Sequence, residues 1–161
     1  MKPRVYIETS VVSYLAARPS RDLIVAARQQ VTSTWWHTRR TEFQLFISEI
    51  VLVEAGAGDA GAAERRLAIL TGISVLDPTE QARVLTGRLL REGALPPQAV
   101  DDAAHVALAA AHDMEYLLTW NCRHIANAQK KRPIRDICQQ CGLSCPEICT
   151  PEELMGDLNH D

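Results

Sequence analysis

Residues 4–10 read RVYIETS. Val5, Tyr6 and Ile7 predict a short β-strand bound for a core, and the strand runs straight into an acid, Glu8. Two hydroxyls follow, Thr9 and Ser10, and either serves as the cap of a helix over SVVSYLAAR. A carboxylate at the end of a buried strand has two explanations. It marks the point where the strand reaches water, or it is there to hold something.

Working outward, the remaining elements predict where that strand end lies. Residues 21–40 form a longer helix, with apolar side chains at Leu23, Ala26 or Ala27, Val31 and Trp35. FQLFIS is a second strand. SEIVLVEAGAG is a helix capped by Ser48 and ended near Gly56 or Gly58. DAGAAERRLAILTG is another helix, closed by Gly72, and ISVL is a third strand. In DPTEQARVLTGRLLREG, Asp77 stands at the cap, Pro78 at the first helical position and Glu80 at the third. Pro96 and Pro97 open the next helix, PPQAVDDAAHVALAAAHD. EYLLT is a fourth strand, NAQKKRPIRDICQQCG is helical in part, EIC is a last short strand, and TPEEL is a capped turn.

The order is β-α-α-β-α-α-β-α-α-β-α-β. Strands separated by helices pair in parallel, with helices on both faces. The expectation is a three-layer α/β/α domain around a parallel sheet of four or five strands. In such sheets ligands bind beyond the carboxyl ends of the strands, near the topological switch point. Glu8 is placed at such an end.

The bulk numbers narrow the class. A chain of 161 residues, 47% hydrophobic and 23% charged, predicts one soluble domain over residues 1–161. The formal net charge of −3 excludes a generic polyanion binder. No leader-like apolar run opens the chain, and no stretch approaches the ~18 apolar residues of a membrane span. A cytoplasmic protein without a membrane partner is expected, and five cysteines fit reduced thiols.

Three further positions join Glu8. Glu54 lies on the helix after the second strand, behind the apolar residues 50–53. Asp102, with Asp101 beside it, opens an Ala-rich helix that is apolar almost all round, and an acid on a buried helix needs a partner. His105 shares a face with Asp102 three residues away and is expected as a packed, hydrogen-bonded residue. Asn121 ends the fourth strand as Glu8 ends the first; its other reading is a turn residue. Carboxylates gathered without a lysine or arginine need a cation, and hard oxygen ligands select Mg²⁺ or Mn²⁺.

YIETSVVSYL, FISEIVLVEA, VDDAAHVALAAAHDMEYLLTWN and TPEEL together resemble the PIN-domain family, and within it the VapC-type toxins of toxin–antitoxin pairs. Four family motifs are matched in order. Glu8, Thr9 and Ser10 match the acid and hydroxyl pair after strand one. Ser48 and Glu54 match a Ser and a Glu six residues apart. Asp102 matches the Asp of the Ala-rich helix, and Thr119 and Asn121 match the Thr-x-acid position after strand four. The resemblance implies a Mg²⁺- or Mn²⁺-dependent endoribonuclease leaving 5′-phosphate and 3′-hydroxyl ends. Glu8, Glu54 and Asp102 would hold the metal, Asn121 would stand at the rim, and Thr9, Ser10 and Thr119 would support them. It also implies an RNA substrate, a small antitoxin partner and a homodimer. Two departures stand out. Position 8 is Glu where the family commonly has Asp, and Asn121 supplies no charge, with Arg123 where a further acid sometimes follows. They leave an alternative of a different class, a PIN-fold RNA- or protein-binding module with a weakened or inactive metal site. A third class, an α/β enzyme acting on a phosphorylated small molecule, lacks its Gly-rich loop, because ETSVVS contains no glycine.

Counter-charge for RNA is local. Residues 116–135 contain no acid but carry Arg123, Lys130, Lys131, Arg132 and Arg135, and with His124 they form a candidate phosphate-binding segment beside the site. Trp35 or Trp36 is expected in the core and the other at a partner surface. Trp120 is expected to pack beside the sheet, with base stacking as the alternative. Cys138, Cys141, Cys145 and Cys149 are dense enough to suggest a zinc or iron–sulfur site, or else are buried thiols.

Overall fold

The computed structural model describes residues 1–157; residues 158–161, included in the expected domain, lie outside it. Among the described residues the chain forms five strands and seven α-helices. They follow in the order β1 (Arg4–Ile7), α1 (Thr9–Ala16), α2 (Leu23–Thr38), β2 (Gln44–Ser48), α3 (Glu49–Ala55), α4 (Ala60–Leu70), β3 (Ser74–Leu76), α5 (Glu80–Arg91), α6 (Val100–Ala111), β4 (Tyr116–Leu118), α7 (Ala128–Gln140) and β5 (Glu147–Cys149). This is the expected alternation, with one 3₁₀ turn, Arg40–Glu42, added before β2.

All strand pairs are parallel and the order across the sheet is β3-β2-β1-β4-β5. The chain builds outward from β1 to β3, then crosses back to place β4 on the other side of β1. The switch point therefore lies between β1 and β4. Ile7 is opposite Leu118, so Glu8 and Thr119 leave the sheet side by side. The last sheet bonds there run from Glu8 N–H to the Leu118 carbonyl and from Thr119 N–H to the Cys149 carbonyl, both 3.0 Å.

The helices pack in two groups, α1 with α2, α3 and α4, and α5 with α6 and α7. Covered on both faces, β1 has Val5, Tyr6 and Ile7 wholly buried. The alanines of α6 explain its depth: Ala103, Ala107, Ala109 and Ala110 are buried because small side chains let the helix approach closely.

Four helix starts differ from expectation. The cap of α1 is Glu8 itself, whose carboxylate accepts the Ser10 N–H; Thr9 and Ser10 lie inside the helix. Ser48 sits at the cap of α3, but its hydroxyl is spent on Tyr6 and caps nothing. The cap of α5 is Thr79, whose Oγ1 accepts the Ala82 N–H at 3.1 Å, while Asp77 stays outside the helix. Pro96 and Pro97 form a turn rather than a helix, closed from Ala99 N–H to the Pro96 carbonyl, and α6 begins at Val100. A residue before a proline is disfavoured in the helical region, and Pro96, which precedes Pro97, lies outside any helix. The TPEEL turn is capped as expected, with Thr150 and Glu153 bonding reciprocally.

Candidate active site

Glu8 is nearly buried, 5% exposed, and its carboxylate accepts three hydrogen bonds. Ser10 Oγ and Thr119 Oγ1 each donate to Oε1 at 2.5 Å, and Ser10 N–H donates to Oε2 at 2.8 Å. Both hydroxyls accept in turn from backbone, Ser10 Oγ from Trp120 N–H and Thr119 Oγ1 from Asn121 N–H. Each hydroxyl thus relays a β4-end amide onto the carboxylate, and Glu8 ties the start of α1 to the loop after β4.

Glu54, in the last turn of α3, stands next to it. Thr9 Oγ1 donates to Glu54 Oε1 at 2.7 Å, and His105 Nε2 donates to the same oxygen at 2.6 Å. Behind the imidazole, Nδ1 lies 2.6 Å from the Tyr6 hydroxyl, which lies 2.7 Å from Ser48 Oγ. Burial alone would raise the Glu54 carboxyl; the hydrogen bonds and charge of His105, aided by Thr9, outweigh it and hold Glu54 below its ordinary range. Burial likewise opposes the His105 cation, but the bond to Glu54 and the nearby charges of Glu8, Glu54 and Asp102 raise its affinity for a proton. Burial pushes the Tyr6 phenol far up, so its hydroxyl keeps its proton.

Among the described residues only Glu8, Glu54 and His105 bring three candidate ligand atoms within 4.8 Å of one another. Asp102 is not in that group. Its Oδ2 takes a hydrogen bond from His124 Nδ1 at 2.8 Å, and His124 N–H donates to Asn121 Oδ1 at 3.0 Å. Asn121 also accepts from Ile125 and Ala126 through its carbonyl, so it organises a turn. Asp102 does face Glu54 across a cleft of about 300 Å³, lined also by Gln98 and Asp101. A larger apolar cleft of about 400 Å³ between α3, α5 and α6 shares Asp101 but includes neither Glu8 nor Glu54. The carboxylates of Glu8 and Glu54, with that of Asp102 across a small cleft, are an oxygen donor set suited to Mg²⁺ or Mn²⁺.

The sequence points to Glu8, Thr9, Ser10, Glu54 and Thr119, and the structure joins Glu8 with Ser10 and Thr119, and Thr9 with Glu54. It misses Tyr6, which reads as an ordinary strand residue; the available signal is that a buried tyrosine needs a partner for its hydroxyl. His105 is hydrogen-bonded as expected, but to Glu54 and not to Asp102. Of the basic segment, Arg123 and Arg132 are exposed, Lys130 and Lys131 are half-buried, and Arg135 pairs with Glu147 at 3.5 Å. Trp35 is wholly buried, with its indole N–H on the Leu154 carbonyl, and Trp36 is half-buried under Arg40. Trp120 packs against Tyr14 and donates to Thr32 Oγ1 at 2.7 Å. The cysteines do not converge as a metal site among the described residues. Cys138 and Cys149 are buried, and burial pushes the Cys149 thiol up to about 12.

The family model of the PIN domain matches residues 5–129, and the chain belongs to that family. No curated protein sequence matches it. Solved structures share the fold. VapBC2 from Rickettsia felis, bound to a DNA fragment from its promoter, is 15% identical, with a TM-score of 0.59 over 91% of this chain and 98% of that one. VapBC-1 from nontypeable Haemophilus influenzae is 18% identical, with a TM-score of 0.57 over 92% and 98%. VapC20 from Mycobacterium tuberculosis, a toxin that cleaves the sarcin–ricin loop, is 16% identical, with a TM-score of 0.57 over 76% and 93%.

Proposed function

We propose that this chain, acting as one domain, is a Mg²⁺- or Mn²⁺-dependent endoribonuclease and the toxin of a toxin–antitoxin pair. The observation that carries the proposal is the meeting of Glu8, Glu54 and His105 at the switch point of a PIN-family sheet. Glu8, Glu54 and Asp102 would hold the ion, with Asn121 at the rim. When bound, the ion supplies Lewis acidity for hydrolysis of a phosphodiester. The chain's own part is positional. Ser10 and Thr119 fix the Glu8 carboxylate, Thr9 and His105 fix Glu54, and His124 fixes Asp102. Arg123, Lys130, Lys131, Arg132 and the outer nitrogen of His124 would carry the RNA backbone past the cleft.

The VapBC assemblies that share the fold support a small antitoxin partner; a homodimer and a cytoplasmic setting complete the proposal. A second reading, an RNA- or protein-binding module with an inactive metal site, is favoured by Asn121 and Asp102, which are both engaged by His124. Incubation of RNA with the protein and Mn²⁺, set against chelator and against Asp102→Asn, separates them. The expected result is cleavage only in the wild type with Mn²⁺, the variant remaining folded by circular dichroism. Wild-type cleavage by Asp102→Asn would sink the site assignment, and RNA binding without cleavage would select the second reading.

A further inference from the structure

Of the three groups that meet at the switch point, two are carboxylates whose use is plain. The third is an imidazole that competes for two roles, ligand or support. We infer that His105 is a positioning residue and not a ligand: its Nε2–H holds Glu54 Oε1, Tyr6 holds its other nitrogen, and Glu54 is left to offer Oε2 to an incoming cation. The inference rests on the nuclease reading only for what Glu54 receives.

Hydrogen-bond accounting carries it. An ionised carboxylate only accepts, so the 2.6 Å contact between His105 Nε2 and Glu54 Oε1 requires a proton on Nε2 whether the ring is neutral or charged. A second donor, Thr9 Oγ1, reaches the same oxygen at 2.7 Å. Oε2 has no hydrogen-bond partner among the described residues, and Glu54 lines the cleft that Asp102 also lines. The other ring nitrogen is committed as well, 2.6 Å from the Tyr6 hydroxyl. In a neutral ring Ser48 donates to Tyr6 and Tyr6 donates to Nδ1. In a charged ring Nδ1–H donates to Tyr6 and Tyr6 donates to Ser48. Either way no lone pair of the imidazole is free for a metal. The ring cannot swing away to find another role, because His105 is wholly buried and Tyr6, packed edge-on at 5.7 Å, stands on the central strand. The relay Ser48–Tyr6–His105–Glu54 therefore joins β2, β1, α6 and α3 behind one carboxylate. Outer partners of this kind commonly set metal affinity by 10–100-fold.

Long-range ¹H–¹⁵N spectra of the histidine rings test this on the full ¹⁵N-labelled chain, first in chelator and then in saturating Mg²⁺, with His105→Gln identifying the signal. Calorimetric titrations of Mg²⁺ into wild type, Tyr6→Phe, His105→Gln and His105→Ala accompany them. Nε2 is expected to stay protonated in both states. Tyr6→Phe, folded by circular dichroism, is expected to bind Mg²⁺ about 10-fold more weakly, and His105→Gln, which keeps an N–H donor, to retain more affinity than His105→Ala. Loss of the Nε2 proton on adding Mg²⁺ would make His105 a ligand and overturn the inference, as would wild-type affinity in Tyr6→Phe. A wild type that takes up no Mg²⁺ defeats the nuclease reading instead. In that case the chelator spectrum alone decides, a protonated Nε2 supporting the His105–Glu54 arrangement and a bare Nε2 overturning it.

Discussion

Thr119 shows how much one hydroxyl carries at this site. It is wholly buried, donates to Glu8 and accepts from Asn121 N–H. Thr119→Val keeps the shape, strands the Asn121 N–H and removes one of the three donors to Glu8. The expected loss of stability is about 1–3 kcal/mol, read as a lowered urea midpoint at unchanged slope. The Glu54–His105 pair gives a second outcome, in pH. A carboxyl held below its ordinary 4.5 adds stability above that value, lost as pH falls through the folded pKa. An imidazole raised above its ordinary 6.5 adds stability below that value, lost as pH rises through the folded pKa. Both contributions are present between pH 4.5 and 6.5. Chelator-treated protein should therefore show its largest pair contribution to Tm there, and Glu54→Gln should flatten the profile. An unchanged profile in that variant would remove the pair as its source.

Among the elements, α5 separates a helix signal in sequence from a helix start in space. DPTE offers two caps, and the chain uses Thr79. Thr79→Ala is expected to cost about 1 kcal/mol, and Asp77→Ala to stay within about 0.5 kcal/mol; chemical denaturation of the two variants checks the order. The strands were legible because VYI, FQLFIS, ISVL, EYLL and EIC are short apolar runs between helical segments, and burial on both faces leaves such runs little choice. Glu8, Glu54 and their hydroxyl neighbours were legible as strand- and helix-end residues of a familiar pattern. What stayed hidden depends on contacts across the chain. Nothing local in VYI says that Tyr6 reaches a histidine 99 residues away, and nothing in DDAAH says that Asp102 turns to His124 rather than to His105. Pro96 and Pro97 misled because a proline that opens a helix and one that opens a turn look alike until the next residues settle.

For the whole molecule, charge is arranged against the average. The net charge is −3, yet an acid-free segment with exposed Arg123 and Arg132 adjoins the cleft. If that segment tracks RNA, alanine at Arg123 and Lys130 together should lower the slope of log affinity against log salt by about 1–2. Filter binding to a single-stranded RNA in chelator, over a salt series, measures it; an unchanged slope would move the RNA path elsewhere.

The central place of β1 has a consequence for synthesis. The first strand made is the one both halves of the sheet need, and Glu8 waits for Thr119, 111 residues later. At roughly 5–20 residues per second, the ribosome takes on the order of 6–20 s to deliver that partner, and His105 arrives only shortly before it. Through most of that interval the nascent chain holds three of the five strands and two of the three carboxylates. On the nuclease reading, a protein harmful to its own cell would stay harmless throughout its translation. Chains halted after residue 101, which lack both Asp102 and Thr119, should then bind no Mn²⁺, whatever fold they reach on the ribosome.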